Sequence, residues 1–368
     1  MRDRTFWGVV AFTILGALLR FWALGAQSYW SDEAVTALLV RMDFREMLDL
    51  IPKSESTPPL YYAVAWPWVR VFGSDESGLR SLSALVGTAA VPLAAAAASR
   101  LVSRRAAVMT AALVAVNPLL VWYSQEARAY SLLVGLVSLS FLAFVLARER
   151  STWPRLAFWA ATAVLAGLTH YFAAFVIVPQ AAFLLATRRR ATLVPVVGVA
   201  VGALMLTPLA LAQRGTGSAE WISRSPFDER LVTSAKQLLV GRSGPADRQL
   251  AILAGLLVLV SVVLLIRSSD SDARRGAAVA ATVGLVALAL PVGLAAVGLD
   301  YVIAQNVLPA LIPLLVALAA GFAVGAPRPL GVGACAALCV LSLGLIATVV
   351  LDPTYQRADW RKAARAVS

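Results

Sequence analysis

Long apolar runs separated by short polar segments fill this chain from one end to the other. A helix needs about 20 mainly apolar residues to cross the hydrocarbon core of a bilayer. On that criterion the pattern predicts eleven transmembrane helices, at 5–25, 79–99, 106–123, 130–147, 155–170, 172–187, 191–212, 249–267, 276–298, 303–324 and 329–351. The chain is therefore predicted to be an all-α polytopic membrane protein.

Composition agrees with this interpretation. Of the 368 residues, 60% are hydrophobic and only 14% are charged, against about 25% charged in ordinary soluble domains. The net charge of +12 would suggest nucleic-acid binding in a soluble domain. Here much of the arginine stands in short clusters between apolar runs, so we predict no nucleic-acid partner.

These arginine clusters also predict the orientation. If the eleven helices alternate, every cluster falls on one side of the membrane, and by the positive-inside rule that side is the cytoplasm. The clusters are Arg2 and Arg4, Arg100 to Arg105, Arg148 to Arg155, Arg188 to Arg190, Arg267 to Arg275, and Arg328. The N-terminus is then cytoplasmic, and residues 26–78 and the segment after 351 lie outside. We therefore expect a transmembrane domain over 1–351 and, over 352–368, the start of an outer segment that is truncated or minimal.

The outer segment 26–78 is too long for a simple connection. Apolar positions recur at helical spacing over 33–50, and 60–72 is rich in aromatic residues. Both stretches predict helices lying in the membrane interface, where Trp and Tyr are favoured. Reading 60–72 as another transmembrane helix would move the later arginine clusters outside, so we reject it.

Two adjacent acids, Asp32 and Glu33, follow the first apolar run directly. Facing lipid they would cost several kcal/mol. At a water boundary a carboxylate there can act as a general base, or the pair can hold a cation. The alternative is a structural role at a helix N-terminus, because Ser31 and Asp32 precede a helical pattern.

Further polar candidates gather at the predicted outer ends of helices. Arg128 suits a phosphate, because its guanidinium matches phosphate geometry; the alternative is pairing with Glu126 at the interface. Arg20 and Arg80 are similar in kind but lie where long side chains reach water easily. His170, the single histidine, could contact a metal or a leaving phosphate, or be an ordinary hydrogen-bonded interface residue. The polar segment 213–248 could be a lid or a solvated connector.

Several short motifs occur in a fixed order along the chain. They are Leu19-Arg20, Trp30-Ser31-Asp32-Glu33, Thr57-Pro58-Pro59-Leu60-Tyr61-Tyr62, Leu79-Arg80-Ser81-Leu82-Ser83, Asn117-Pro118, Tyr123-Ser124-Gln125-Glu126-Ala127-Arg128-Ala129-Tyr130, Thr169-His170-Tyr171, the stretch 301–321, and Ala358-Asp359-Trp360-Arg361. In order and placement they resemble the integral-membrane glycosyltransferases of the C superfamily. More narrowly, the chain resembles bacterial relatives of the protein O-mannosyltransferases and of the lipid A aminoarabinose transferases.

This resemblance implies a GT-C fold and a bacterial inner-membrane enzyme that takes a sugar from a polyprenyl-phosphate donor on the outer face. The implied catalytic residues are Asp32 and Glu33, with Asp32 matching the family's carboxylate. Donor contacts are assigned to Arg128, Gln125, Glu126, His170, Tyr171, Arg80 and Arg20. Thr57, Pro58, Tyr61 and Tyr62 are assigned to positioning of the acceptor or the loop. The chain has Thr57 where the family often has His, and Gln305-Asn306 where it often has Arg.

The predicted reaction transfers the sugar to a glycan, lipid or protein acceptor and inverts the anomeric centre. Membrane lipids are predicted as further partners. The alternative is a transporter or lipid flippase, although such proteins usually carry repeats and mid-span charges. No cofactor is predicted with the residues at hand. A Mg²⁺ or Mn²⁺ ion shared by Asp32, Glu33 and the donor phosphate stays open as an alternative.

Overall fold

The computed structural model describes residues 2–215, 220–324, 327–358 and 360–361. Within these ranges the protein is helical and contains no strand. Its α-helices are α1 Arg2–Phe21, α2 Ser31–Arg41, α3 Phe44–Ser54, α4 Leu60–Phe72, α5 Glu76–Leu101, α6 Arg104–Val116, α7 Pro118–Ser124, α8 Tyr130–Glu149, α9 Trp153–Thr169, α10 Ala174–Met205, α11 Thr207–Arg214, α12 Phe227–Val240, α13 Asp247–Ile266, α14 Ser271–Ala296, α15 Ala304–Val307, α16 Leu311–Val324 and α17 Arg328–Leu351.

The described chain is a multi-pass helical bundle. Nine of its helical stretches are long and apolar enough to cross a membrane, and the bent pair α6–α7 makes ten. The remaining predicted crossing corresponds to α9, which has 17 residues. The prediction of an all-α membrane fold is thus confirmed, with nine or ten of the eleven predicted crossings long and apolar enough in the described chain.

One predicted transmembrane helix is bent in two, and two others are joined in one kinked helix. The stretch predicted at 106–123 bends by 57° between α6 and α7, because Pro118 has no N–H to continue the helix and Asn117 caps the new one by accepting from Leu120 N at 3.0 Å. Helix α10 runs through both the sixth and the seventh predicted helices with a kink at Arg188, where φ is −144° and ψ is 42°.

The outer segment forms three helices where two were predicted. The stretch 33–50 was expected as one helix, but it breaks between α2 and α3, where the Asp43 side chain accepts from Arg45 N at 2.9 Å and caps α3. The prediction for 60–72 matches α4. Buried side chains from these helices, including Met47, Tyr61 and Tyr62, form a small core of their own with Leu79 of α5.

Helix α5 organises the bundle by packing against α1, α6 and α8. At Gly87 it approaches α7 so closely that an added Cβ would lie 2.1 Å from Ser124 Oγ. Glycine is required there because any side chain would push α7 away. This close contact positions the segment 125–129 at one end of the bundle, beside the helices of the outer segment.

Candidate active site

A cavity of about 650 Å³ opens at the end of the bundle that carries the outer segment. It is called the donor cavity here. Its polar wall comes from the starts of α2 and α8, from the turn after α9, and from the segments around Arg214 and Asn306. Its apolar wall comes from the ends of α10 and α11, where Leu211 is 64% exposed. A polar pocket with a membrane-facing apolar side suits a ligand that combines a charged headgroup with a hydrocarbon chain.

Asp32 lies in the first turn of α2 and lines this cavity. The helix begins at Ser31 with Trp30 as its N-cap, so Asp32 is not the capping residue. Its carboxylate accepts only from Ser31 Oγ, at 3.2 Å, among the described residues. The half-buried carboxylate is therefore free to take a proton from a group in the cavity.

Arg128 lies beside Asp32 and is buried. Its Nη1 donates to both carboxylate oxygens of Glu55, at 3.1 and 2.8 Å, to Thr36 Oγ1 at 3.2 Å, and to the Asp32 carbonyl at 3.4 Å. The alternative pairing with Glu126 is not formed. Within the described chain, Nε and Nη2 of Arg128 have no partner, so two donors of its planar fork remain for an anion in the cavity.

His170 and Tyr171 line the same cavity in the turn between α9 and α10. His170 Nδ1 accepts from Phe172 N at 3.3 Å. Burial, and after it the charge of Arg128, lower the pKa of His170 to about 3, so the imidazole is neutral at pH 7 with its proton on Nε2. It can donate to an anion but cannot act as an acid there.

Glu33 points away from the donor cavity. Its carboxylate accepts from Arg80 Nε at 2.8 Å, Arg80 Nη2 at 2.5 Å, Ala127 N at 2.7 Å and Trp30 N at 3.3 Å. Arg80 also donates to the carbonyls of Leu24, Gln27 and Ser28. This buried pair ties α2 to α5 and to segment 125–129, and neither side chain lines the cavity.

Arg20 and Gln125 also lie outside the donor cavity. Arg20 donates to the carbonyls of Val114 and Ala115, at 3.0 and 2.8 Å. The bend at Pro118 removes helical partners from such carbonyls, so Arg20 satisfies groups that lipid could not. Gln125 Nε2 donates to the carbonyls of Leu19 and Trp22 at the end of α1, both at 3.0 Å.

Glu126 lies on the opposite side of segment 125–129 from Arg128. Its Oε2 accepts from Arg357 Nη2 at 3.1 Å. Burial raises the pKa of Glu126, and the charge of Arg357 opposes that shift. Near Arg357, Trp360 N donates to Ser28 Oγ at 2.8 Å, so the segment after α17 folds back onto the start of the outer segment.

The residues assigned to loop positioning are buried behind the donor cavity and do not line it. The hydroxyls of Thr57 and Tyr62 lie 3.3 Å apart, and Pro58 and Tyr61 are buried with them. The carbonyl of Thr57 accepts from Gln213 Nε2 at 2.9 Å. These residues connect α3 and α4 to α11 beneath the cavity.

Two charged wall residues were missed in the sequence. Glu55 stands two positions before the Thr57 motif, and that proximity was the only available signal. Arg214 ends α11 and lines the cavity; within the described residues its side chain makes no hydrogen bond or ion pair. In the sequence alone, nothing distinguishes Arg214 from other arginines near a membrane surface.

The acids do not form a metal-binding cluster in the described chain. All the strong acceptor positions of Glu33 are occupied by Arg80 and main-chain N–H groups, which leaves Asp32 as the only acid of the pair that is free. The geometry therefore does not fit an ion shared by Asp32 and Glu33.

The chain is similar to one protein family over part of its length and to solved structures over most of it. Residues 56–211, less than half of the chain, match the model of the dolichyl-phosphate-mannose-protein mannosyltransferase family. The apo structure of ArnT from Cupriavidus metallidurans superposes over 97% of this chain with a TM-score of 0.63 at 18% identity. The chain has the GT-C fold. The resemblance that the motifs indicated is thereby confirmed: the fold matches that of ArnT, and residues 56–211 match the mannosyltransferase family model.

A second ArnT structure from the same organism, bound to undecaprenyl phosphate, matches this GT-C chain over 94% of its length with a TM-score of 0.60 at 19% identity. The chain spans 66% and 65% of the two ArnT chains, just under two thirds. No curated protein sequence matches it. The structural matches show the shared fold, and the family match covers residues 56–211 within it.

Proposed function

We propose that this protein transfers a sugar from a polyprenyl-phosphate donor to an acceptor hydroxyl at the outer face of a bacterial inner membrane, with inversion at the anomeric carbon. One observation carries the proposal. A free carboxylate, Asp32, and two arginines, Arg128 and Arg214, with donors that have no partner in the described chain line one cavity, and the part of its wall formed by the ends of α10 and α11 is apolar. The ArnT structure with undecaprenyl phosphate supports the donor class.

The arginines suit the donor headgroup. Nε and Nη2 of Arg128 can hold phosphate oxygens, Arg214 adds a second positive charge, and neutral His170 adds a donor. The hydrocarbon chain would leave along Leu206 and Leu211, at the membrane-facing side. Charge-assisted hydrogen bonds of this type contribute about 1.5–3 kcal/mol each.

Asp32 suits the acceptor. As the acceptor oxygen attacks the anomeric carbon, its proton passes to the Asp32 carboxylate. The bond between the anomeric carbon and the phosphate oxygen breaks, and its electron pair leaves with the polyprenyl phosphate. A single displacement of this kind inverts the anomeric centre, and general-base assistance contributes about 10²–10⁴-fold to the rate.

The test uses the purified protein in nanodiscs with a panel of undecaprenyl-phosphate hexoses and pentoses, and follows release of undecaprenyl phosphate. Asp32→Asn should lower transfer at least tenfold while donor binding and melting temperature stay unchanged. Asp49→Asn is the matched control, because Asp49 is exposed in the same outer segment and makes no side-chain hydrogen bond in the described structure. Transfer by Asp32→Asn above a tenth of the wild-type rate would exclude Asp32 as the base.

Arg214 allows a separate test of the donor site. Arg214→Gln should weaken donor binding about tenfold or more without affecting folding, because the side chain has no partner among the described residues. Arg248→Gln, at an exposed arginine outside the cavity, is the control. Equal donor affinity in both variants would remove Arg214 from the phosphate site.

A further inference from the structure

Glu55 lines the donor cavity and takes no part in the displacement described above. It directly follows the last residue of α3, and its side chain is only 2% exposed. Both of its carboxylate oxygens accept from Arg128 Nη1, at 3.1 and 2.8 Å. An acid therefore lies against the arginine that suits the donor phosphate, where it repels the charge that the arginine attracts.

The charged side chains of the cavity wall are equal in number of each sign. Among the described residues, two acids, Asp32 and Glu55, and two arginines, Arg128 and Arg214, line the cavity. His170 on the same wall is neutral at pH 7, because burial lowers its pKa to about 3. A phosphate with one negative charge can be held by the donors of the two arginines that have no partner in the described chain. A second negative charge meets no excess of positive charge and still loses its hydration.

The proposed reaction creates this second charge. In the donor, the phosphate joins the polyprenyl chain to the sugar as a diester, which carries one negative charge. When the bond to the anomeric carbon breaks, its electron pair stays on the phosphate oxygen, and the acceptor proton goes to Asp32. The product is a phosphate monoester, whose second ionisation has a pKa of about 6, so it carries nearly two negative charges at pH 7.

Glu55 and the phosphate would share one guanidinium. Glu55 holds Nη1 of Arg128, whereas Nε and Nη2 of the same group have no partner in the described chain and are available to the phosphate. Nη1 also donates to Thr36 Oγ1 at 3.2 Å and to the Asp32 carbonyl at 3.4 Å. These contacts with α2 hold the guanidinium beside Glu55, so the phosphate cannot draw the arginine away from the acid.

We propose that Glu55 determines the charge that the phosphate site accepts, so that the site binds the phosphodiester donor and releases the phosphomonoester product. Glu55 acts through Arg128 and is a positioning residue that does not touch the reacting atoms. This inference rests on the proposed function and adds a means of product release. Without the charge of Glu55, the two arginines would hold the product more tightly than the donor, and product inhibition would limit turnover.

The test compares two lipids that differ in this charge. Undecaprenyl phosphate is the monoester, and its methyl ester is a diester with one negative charge and no sugar. Their dissociation constants are measured with the purified protein in nanodiscs at about pH 5.5 and about pH 8, on either side of the second ionisation. For the wild-type protein, the Kd of the monoester divided by that of the diester should be unchanged or higher at the higher pH. A fall of this ratio by about threefold or more would overturn the proposal.

The ratio isolates the charge of the phosphate from titration of the protein. A side chain that titrated in this range would change the binding of both lipids, whereas only the monoester changes its own charge. The charged and titratable side chains that line the cavity or face Glu55 are Asp32, Tyr62, Arg128, Tyr130, His170, Tyr171, Arg214 and Tyr301.

Glu55→Gln should reverse the preference. The amide keeps the size of the side chain and removes its charge, so the ratio should fall about tenfold at about pH 8 and much less at about pH 5.5. Inhibition of transfer by added undecaprenyl phosphate should strengthen to the same extent. Glu55→Asp keeps the charge and should keep the wild-type ratio. Glu46→Gln is the matched control, because Glu46 is exposed on α3, lies outside the cavity and makes no side-chain hydrogen bond in the described structure.

The outcomes separate this inference from the proposed function. A purely structural role of Glu55 predicts that Glu55→Gln weakens both lipids alike at both pH values, and that result would overturn the inference and leave the donor site in place. If Glu55→Gln does not fold, the wild-type ratios at the two pH values decide. Failure of the wild-type protein to bind either lipid would overturn the proposed function and this inference with it.

Discussion

Replacing Glu33 by Gln should unfold the site without touching the chemistry. The carboxylate is fully buried and holds Arg80, whose side chain is 2% exposed, through two hydrogen bonds. Gln keeps the shape but removes the negative charge, and its NH₂ group then faces an Arg80 donor. Removing one partner of a buried ion pair costs about 3–5 kcal/mol. That is roughly two to four orders of magnitude in the folding equilibrium.

The assay is the melting temperature in detergent, measured beside donor binding and transfer. Glu33→Gln should melt well below wild type, and transfer should fall in proportion to the folded fraction. The double variant Glu33→Gln/Arg80→Gln should lose less stability than the two single variants added together, since neither charge is left alone. Asp32→Asn should show the opposite profile, with normal melting and no transfer. A Glu33→Gln protein that melts like wild type, binds donor and yet fails to transfer would refute this reasoning and make Glu33 part of the chemistry.

Three further outcomes follow from the same contacts. Transfer should continue in EDTA, because Glu33 is committed to Arg80; loss of transfer that Mg²⁺ or Mn²⁺ restores would contradict this. His170 has a lowered pKa, so its contribution to stability is complete above about pH 6.5 and is lost as the pH falls toward 3. His170→Gln should therefore make the melting temperature less dependent on pH in that range. Parallel pH profiles of the variant and the wild type would exclude this role of His170. Arg20→Met leaves buried carbonyls unpaired and should destabilise the protein by about 1–3 kcal/mol per carbonyl. An unchanged melting temperature would contradict this.

The transmembrane helices could be predicted because the apolar runs are long and the bilayer fixes their length. The bend before Pro118 was missed although the proline was visible, because the apolar run continues through it and hydropathy does not register a lost N–H. The break in the outer segment was missed for a similar reason. Asp43 is a capping residue within an otherwise helical pattern, and only the folded chain shows that its side chain turns back to Arg45.

The sequence could predict which residues lie near one another at the site, but not the role of each residue. Asp32 and Arg128 do line one cavity, as their placement at helix ends indicated. The sequence could not show that Asp32 lines the cavity while Glu33 forms a buried ion pair, because Glu33 pairs with a residue 47 positions away. Nothing local identifies such a partner, and the same holds for Arg128 with Glu55, 73 positions apart.

The contact between Glu126 and Arg357 has a consequence for biosynthesis. A ribosome makes Glu126 some 231 residues before Arg357, so the carboxylate enters the end of the bundle without the arginine that it pairs with. Until the segment after α17 emerges and docks, that acid can stay neutral, as its raised pKa favours, or stay hydrated. Newly inserted protein would therefore form the pair of Glu126 and Arg357 only when synthesis has passed α17.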